Sequence, residues 1–278
     1  MKSVLMIGQS NMAGRGFINS VPMIFSERIK VLRNNKWQTM LEPINYDRKT
    51  AGVSLASSFS ALYHMDNPNE SIGLIPCAEG GSTIDEWNVN GSLFENAITQ
   101  SKTALKSSDI IAVLWHQGES DSHSGNYKTY YNKLENIFDS LRKQLKLENT
   151  PFIIGGLADF LGKYGFGAGC TEYNLINEKL IEFANNHNNT YFVTADGFSS
   201  NPDGIHIDAV SLRKFGVRYY EAFVNRKSVF NPLIDEQQRL DKIYNIPHTK
   251  NEKDYLTTLS FSLGKLSYED FLNETQKN

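Results

Sequence analysis

Cysteine is scarce in this chain of 278 residues, with Cys77 and Cys170 its two thiols. Two cysteines exclude a disulfide scaffold and a cysteine-built zinc site. A surplus of one charge is missing as well. Lys and Arg total 28 against 31 Asp and Glu, a net charge of −3. That balance gives no electrostatic footprint for DNA, RNA or an anionic membrane as main partner. No stretch approaches the roughly 20 apolar residues of a membrane span. The N-terminal run Val4-Leu5-Met6-Ile7 is shorter than the roughly 7–15 residues of a signal peptide's apolar region, so a cytoplasmic protein is expected. Internal repeats and low-complexity tracts are absent. What is present is a sizeable potential core, 40% hydrophobic and 12% aromatic, which excludes global disorder.

Short β-rich runs alternate with longer helical patterns. Strands are expected at residues 3–7, 72–77, 110–115, 151–157 and 190–194. Several are continuously apolar, as strands covered on both faces must be. Helices are expected at residues 53–65, 92–105, 127–147, 170–186 and 208–224. Five strands with crossover helices predict an α/β fold with a doubly wound parallel sheet. Residues 15–50 fit this rhythm poorly and read as a long excursion over the sheet edge. Residues 228–278 change register again. Leu256, Leu259, Leu263 and Leu266 recur at near-helical spacing, and Ser267 precedes Glu269 and Asp270 as a helix start would. We read residues 1–227 as one domain and 228–278 as a helical extension, packed on that domain or at an oligomer contact.

Four polar clusters leave the carboxyl ends of predicted strands, the edge at which open α/β sheets hold ligands. Gly8-Gln9-Ser10-Asn11-Met12-Ala13-Gly14 follows the first. Its serine suits a nucleophile near backbone N–H groups, or equally a helix N-cap. Glu79-Gly80-Gly81-Ser82 follows the second, where paired glycines let backbone amides approach a ligand or simply make a turn. Trp115-His116-Gln117-Gly118-Glu119-Ser120-Asp121 follows the third. There Gln117 can offer an amide N–H to an oxyanion and Glu119 can orient a neighbour. His116 and Glu119 lack the His-Glu-x-x-His pattern of a metal site. Asn201-Pro202-Asp203-Gly204-Ile205-His206 follows the fifth strand. Three residues apart in a glycine turn, Asp203 can reach the His206 ring and leave its other nitrogen as a base. Asp208 is expected to cap the next helix. Together these are the parts for acyl transfer to water. Trp37 and Trp87 offer rings for sugar stacking or for the core.

In wording and order, these clusters resemble the SGNH (GDSL-type) hydrolase superfamily, in its carbohydrate acetylesterase branch of acetylxylan esterases and sialate O-acetylesterase-like proteins. The resemblance covers residues 1 to about 225. It implies a flavodoxin-like three-layer α/β/α sandwich around the five-stranded parallel sheet, and serine esterase chemistry without metal or cofactor. Carried over by position, Ser10 would be the nucleophile, His206 the general base and then acid, and Asp203 the orienting carboxylate. The oxyanion hole would combine the N–H groups of Ser10 and of Gly81 or its neighbour Gly80 with the Gln117 side chain, where the wider superfamily has asparagine. Gln9, Asn11, Gly80 and Glu119 would act around this set or on substrate. The expected substrate is a small acetylated carbohydrate such as an acetylated xylo-oligosaccharide. A lysophospholipase or thioesterase of the same superfamily and a non-catalytic carbohydrate-binding protein are the competing readings.

Overall fold

The computed structural model describes residues 1–277. Its centre is a sheet of seven strands: β1 (Lys2–Gly8), β2 (Ile29–Arg33), β3 (Lys36–Thr39), β4 (Ile72–Pro76), β5 (Asp109–His116), β6 (Phe152–Gly155) and β7 (Thr190–Val193). They lie in the order β3-β2-β4-β1-β5-β6-β7. The five expected strands are all present and parallel, with Met6 opposite Pro76, Gly8 opposite His116, and one register shift against β5 between Ser3 and Val4. The expected count of five is nevertheless too low, and the sheet is mixed rather than parallel throughout. The excursion over residues 15–50 carries two further strands. β2 adds to β4 in parallel, and β3 turns back on β2 antiparallel. Asn34 and Asn35 make that turn with φ of 50° and 60°, the left-handed pair that a two-residue hairpin needs. As an edge strand, β3 alternates exposed and half-buried residues, so its pattern lacks the apolar run that marks the central strands.

Two groups of helices cover the sheet. α2 (Leu55–Asp66) packs with α6 (Ala209–Asn225), while α3 (Ser92–Ala104), α4 (Tyr127–Leu145) and α5 (Tyr173–Asn186) pack in succession. Neighbouring residues of β5 show the two faces, because side chains alternate along a strand. The Trp115 ring meets Phe138 of α4 edge-on at 5.6 Å, and the His116 ring meets Phe215 of α6 at 5.4 Å. Trp87 is fully buried against Trp115 and donates to Ser82 Oγ. Trp37 lies on β3 with its Nε1 on Ser107 Oγ. The Trp87 ring thus lies in the core, while the Trp37 ring is half-buried.

Beyond α6 the chain returns to the body. Val229 pairs with Val193, and Ser228 Oγ accepts from Phe192 N at 2.9 Å. Helix α7 (Glu236–Tyr244) buries Leu240 and Ile243 and sets Glu236 on Arg218 at 2.5 Å. Helix α8 (Lys250–Ser262) starts on a capping box between Thr249 and Glu252. Its Glu252 accepts from Glu27 N, and Tyr255 stacks on Phe25 at 4.7 Å. Helix α9 (Tyr268–Lys277) begins where Ser267 Oγ accepts from Asp270 N. No helix among the described residues is long and apolar enough to cross a membrane.

Candidate active site

All four polar clusters come to the carboxyl edge of the sheet, because the strands that precede them are parallel. β1 ends at Gly8, where a methyl group would lie 2.1 Å from the His116 carbonyl oxygen. With φ at 128° as well, this close approach of β1 to the end of β5 requires glycine. Gln9 N then donates to that same carbonyl at 2.8 Å. Gln9 Oε1 accepts from Gly118 N at 3.2 Å and Ser120 N at 3.3 Å, which ties the first cluster to the third. Ser10 opens a one-turn helix, α1 (Ser10–Ala13). The N-cap position falls to Gln9, which makes no side-chain cap, so Ser10 is not the capping residue. Among the described residues no acceptor engages the Ser10 N–H.

Asn11 joins this turn to the fourth cluster. Its Oδ1 accepts from Ile207 N at 2.9 Å, and its Nδ2 donates to Ile205 O at 3.2 Å. One side chain thus grips the backbone on both sides of His206. The His206 ring meets Asp203 Oδ2 through Nδ1 at 2.7 Å, while Asp203 Oδ1 accepts the N–H groups of Ile205 and His206 at 3.1 and 3.0 Å. A carboxylate on Nδ1 assigns the proton to that atom and leaves Nε2 basic. Partial burial works to raise the Asp203 pKa, but the His206 N–H and ring and the Ile205 N–H hold it below the usual carboxylate value. Asp208 caps α6 through Ser211 N at 2.7 Å.

The second cluster distinguishes its two glycines. Gly80 N donates to Asp47 Oδ2 at 2.9 Å. Gly81 N has no protein acceptor among the described residues. Asp47 is itself clamped by Arg15 at 2.5 Å, with both side chains buried. Burial pushes the Asp47 carboxyl up, yet its bonds to Arg15 bring it below the usual range. This pair was not among the residues marked by motif. Arg15 directly follows the Ser10 cluster, but Asp47 lies in the excursion, where no pattern singles it out.

Gln117 is the side chain expected to serve as an oxyanion donor. It is fully buried, and its Nε2 faces Asp121 Oδ2 at 2.6 Å, Ser82 O at 3.1 Å and Gln9 Oε1 at 3.2 Å. Three acceptors surround two hydrogens, and Oε1 accepts from Tyr130 OH at 2.8 Å. Asp121, also buried, receives Ile84 N at 2.8 Å. Glu119 Oε1 takes both His116 Nε2 at 2.8 Å and Asn11 Nδ2 at 2.5 Å. Burial works to raise the Glu119 pKa, but the charge and hydrogen bond of His116 and the amide of Asn11 hold it below the ordinary value. The Glu119 side chain is buried, and its Oε2 meets no hydrogen-bond partner among the described residues. No group of three or more His, Cys, Asp or Glu among the described residues is placed to hold a metal ion.

Comparison with known proteins bears on the chemistry of this site. The family described as carbohydrate esterase, sialic acid-specific acetylesterase, matches residues 1–225. A protein of Arabidopsis thaliana named as a probable carbohydrate esterase is 26% identical over 245 residues, 80% of this chain and 89% of the relative. The X-ray structure of that plant protein matches with a TM-score of 0.72 at 24% identity, over 81% of this chain and 98% of its own. NanS matches at 0.64 and 16% identity, over 81% of this chain and 97% of its own. A carbohydrate acetylesterase from Xanthomonas citri matches at 0.59 and 17% identity, over 80% of this chain and 55% of its own. At such identities the structural likeness is one of fold.

Proposed function

The chain belongs to the carbohydrate esterase family of sialic acid-specific acetylesterases and is a carboxylic ester hydrolase; from that premise we propose that it removes O-acetyl groups from small sugars through Ser10, His206 and Asp203. The observation that carries this reading is the Asp203–His206 pair at 2.7 Å, held beside the Ser10 turn by Asn11. His206 Nε2 takes the Ser10 proton as the hydroxyl attacks the acetyl carbonyl. The resulting oxyanion is met by the N–H groups of Ser10 and Gly81. Gly80 holds the loop to Asp47 instead of facing the oxyanion. Gln117 acts from behind, fixing Gln9, Ser82 and Asp121, with no hydrogen of its amide left for the substrate. His206 then protonates the departing sugar oxygen. Water, activated by the same nitrogen, releases acetate from the acetylated serine.

The near-neutral chain suits an uncharged sugar ester, such as an acetylated xylo-oligosaccharide. A cytoplasmic setting would favour small imported oligosaccharides over polymeric xylan. The test is acetate release from acetylated xylo-oligosaccharides by wild type and Ser10→Ala, beside acetylated sialic acid. Loss of turnover in the variant is expected, and equal rates would sink the assignment. Faster turnover of butyrate or longer chains than of acetate would point to a lipase or thioesterase.

A further inference from the structure

Phe166 is 80% exposed and Tyr164 49%, and both sit in the loop that follows β6. Leaving a phenylalanine side chain in water forfeits about 1.5–3 kcal/mol of burial, yet this loop is rigidly mounted. Phe166 N donates to Asp203 O at 2.7 Å. A methyl group on Gly165 would lie 2.1 Å from Asp203 O, and one on Gly167 would lie 1.9 Å from Gly204 O. The loop backbone therefore lies directly on the Asp203–Gly204 turn, with no side chain between. The Tyr164 ring closes over Gly204, and its hydroxyl meets Ser200 Oγ at 2.6 Å. The aromatic pair is thus fastened to the segment that carries His206.

Mechanism says what must pass over that segment. The group that leaves is the sugar hydroxyl, and His206 has to reach its oxygen to protonate it. The sugar therefore lies on the acid–base side of Ser10, and the acetyl oxygen on the Gly81 side. We propose that Tyr164 and Phe166 form an aromatic platform that receives the pyranose ring of the acetylated substrate. The C–H face of a pyranose is apolar and weakly positive, a match for the negative face of an aromatic ring. The platform would select esters of ring sugars over ringless acetates. This inference rests on the acetylesterase reading and deepens it.

The experiment compares kcat/KM for an acetylated methyl xyloside with that for ethyl acetate, in wild type, Phe166→Ala, Phe166→Trp and Phe230→Ala. Phe166→Ala is expected to lower the sugar-to-ethyl-ester ratio about 3–10-fold, mostly through KM, at a wild-type melting temperature. Phe166→Trp restores the ratio. Phe230→Ala removes another exposed ring, away from the site, and leaves the ratio unchanged. A ratio unmoved in Phe166→Ala overturns the platform while wild-type turnover of the xyloside ester upholds the acetylesterase reading. Binding of the acetylated xyloside to Ser10→Ala, followed by saturation-transfer NMR, separates the two independently of turnover. Signal lost on adding Phe166→Ala supports the platform, and signal retained overturns it. Wild type that cleaves ethyl acetate but no acetylated pyranoside overturns the acetylesterase reading itself, and the platform with it.

Discussion

On one side of Ser10, the end of β5 buries His116, Gln117, Glu119 and Asp121 and ties them to Gln9, Asn11, Tyr130 and Ile84. On the other side, Asp203 and His206 stand half-exposed on a turn, located by backbone contacts to the 164–167 loop and by the asparagines Asn11 and Asn201. The first wall is fixed by hydrogen bonds that water cannot replace, so disturbing it should show as lost stability. The second is fixed by glycine-permitted contact of backbone on backbone. Disturbing that should show as misplaced chemistry in a protein that still folds.

The sharpest way to break this contrast is Glu119→Ala. It removes the acceptor of both His116 Nε2 and Asn11 Nδ2 and leaves those donors buried. Breaking one partner of such a pair costs about 3–5 kcal/mol, read as a fall in the denaturant midpoint, with activity falling too. An unchanged midpoint would show that the buried wall is not held in this way. Asn11→Ala comes next, since the Asn11 side chain is bonded to both walls. Ile207 N and Glu119 each lose a partner, at about 1–3 kcal/mol. Turnover should drop more steeply than stability, because His206 is then free to drift from Ser10. Gly167→Ala acts on the second wall alone. Its new methyl group would have to displace the Gly204 carbonyl, moving the Asp203 turn by several tenths of an ångström or more. Overpacking of this kind costs about 1–3 kcal/mol, while kcat is expected to fall about 10–100-fold. A variant with full kcat and a lowered midpoint would reverse the comparison.

The two walls were unequally legible in the sequence. Ser10, Gln117, Glu119, Asp203 and His206 stand in compact clusters after apolar strands, and parallel topology is enough to gather them. The central strands announce themselves because both faces are covered, which demands an unbroken apolar run. β2 and β3 did not, since an edge strand such as Lys36-Trp37-Gln38-Thr39 keeps polar residues on its open face. The Asn34-Asn35 pair was the available sign of their hairpin. The Arg15–Asp47 clamp joins residues 32 apart, and the 164–169 loop reads as glycine-rich connection with two unremarked aromatics. Neither has a local pattern, because each exists only through contact with a distant turn. Gln117 shows the converse. Its residue type fits an oxyanion donor, but the direction of its amide depends on Asp121 and Ser82, which spacing alone cannot orient.

The smallest expected effect also divides the walls, through two carboxylates of opposite titration. Burial, with Asp85 nearby, raises the Asp121 pKa above its ordinary value, despite the opposing bonds from Gln117 and Ile84 and the charge of Lys133. Its folded value thus exceeds the unfolded one of about 3.9. The folded state keeps this proton where the unfolded chain has lost it, so Asp121 costs stability increasingly as pH rises through that window, then by a constant amount above it. Asp203 has the reverse sign. Its folded value is depressed, so its stabilisation is fully present above about pH 4 and is lost as pH falls through the folded pKa. Both bonds to Asp121 land on Oδ2, so Asp121→Asn can keep its oxygen there and shed only the charge. This variant should melt above wild type at pH 7, by about 2 °C, with the gap closing toward pH 3. Asp203→Asn should melt below wild type at pH 7, and that gap too should close in acid. A gap for Asp121→Asn that stays constant across the range would mean that its carboxylate titrates as it does in the unfolded chain, and that the buried wall carries the charge without penalty.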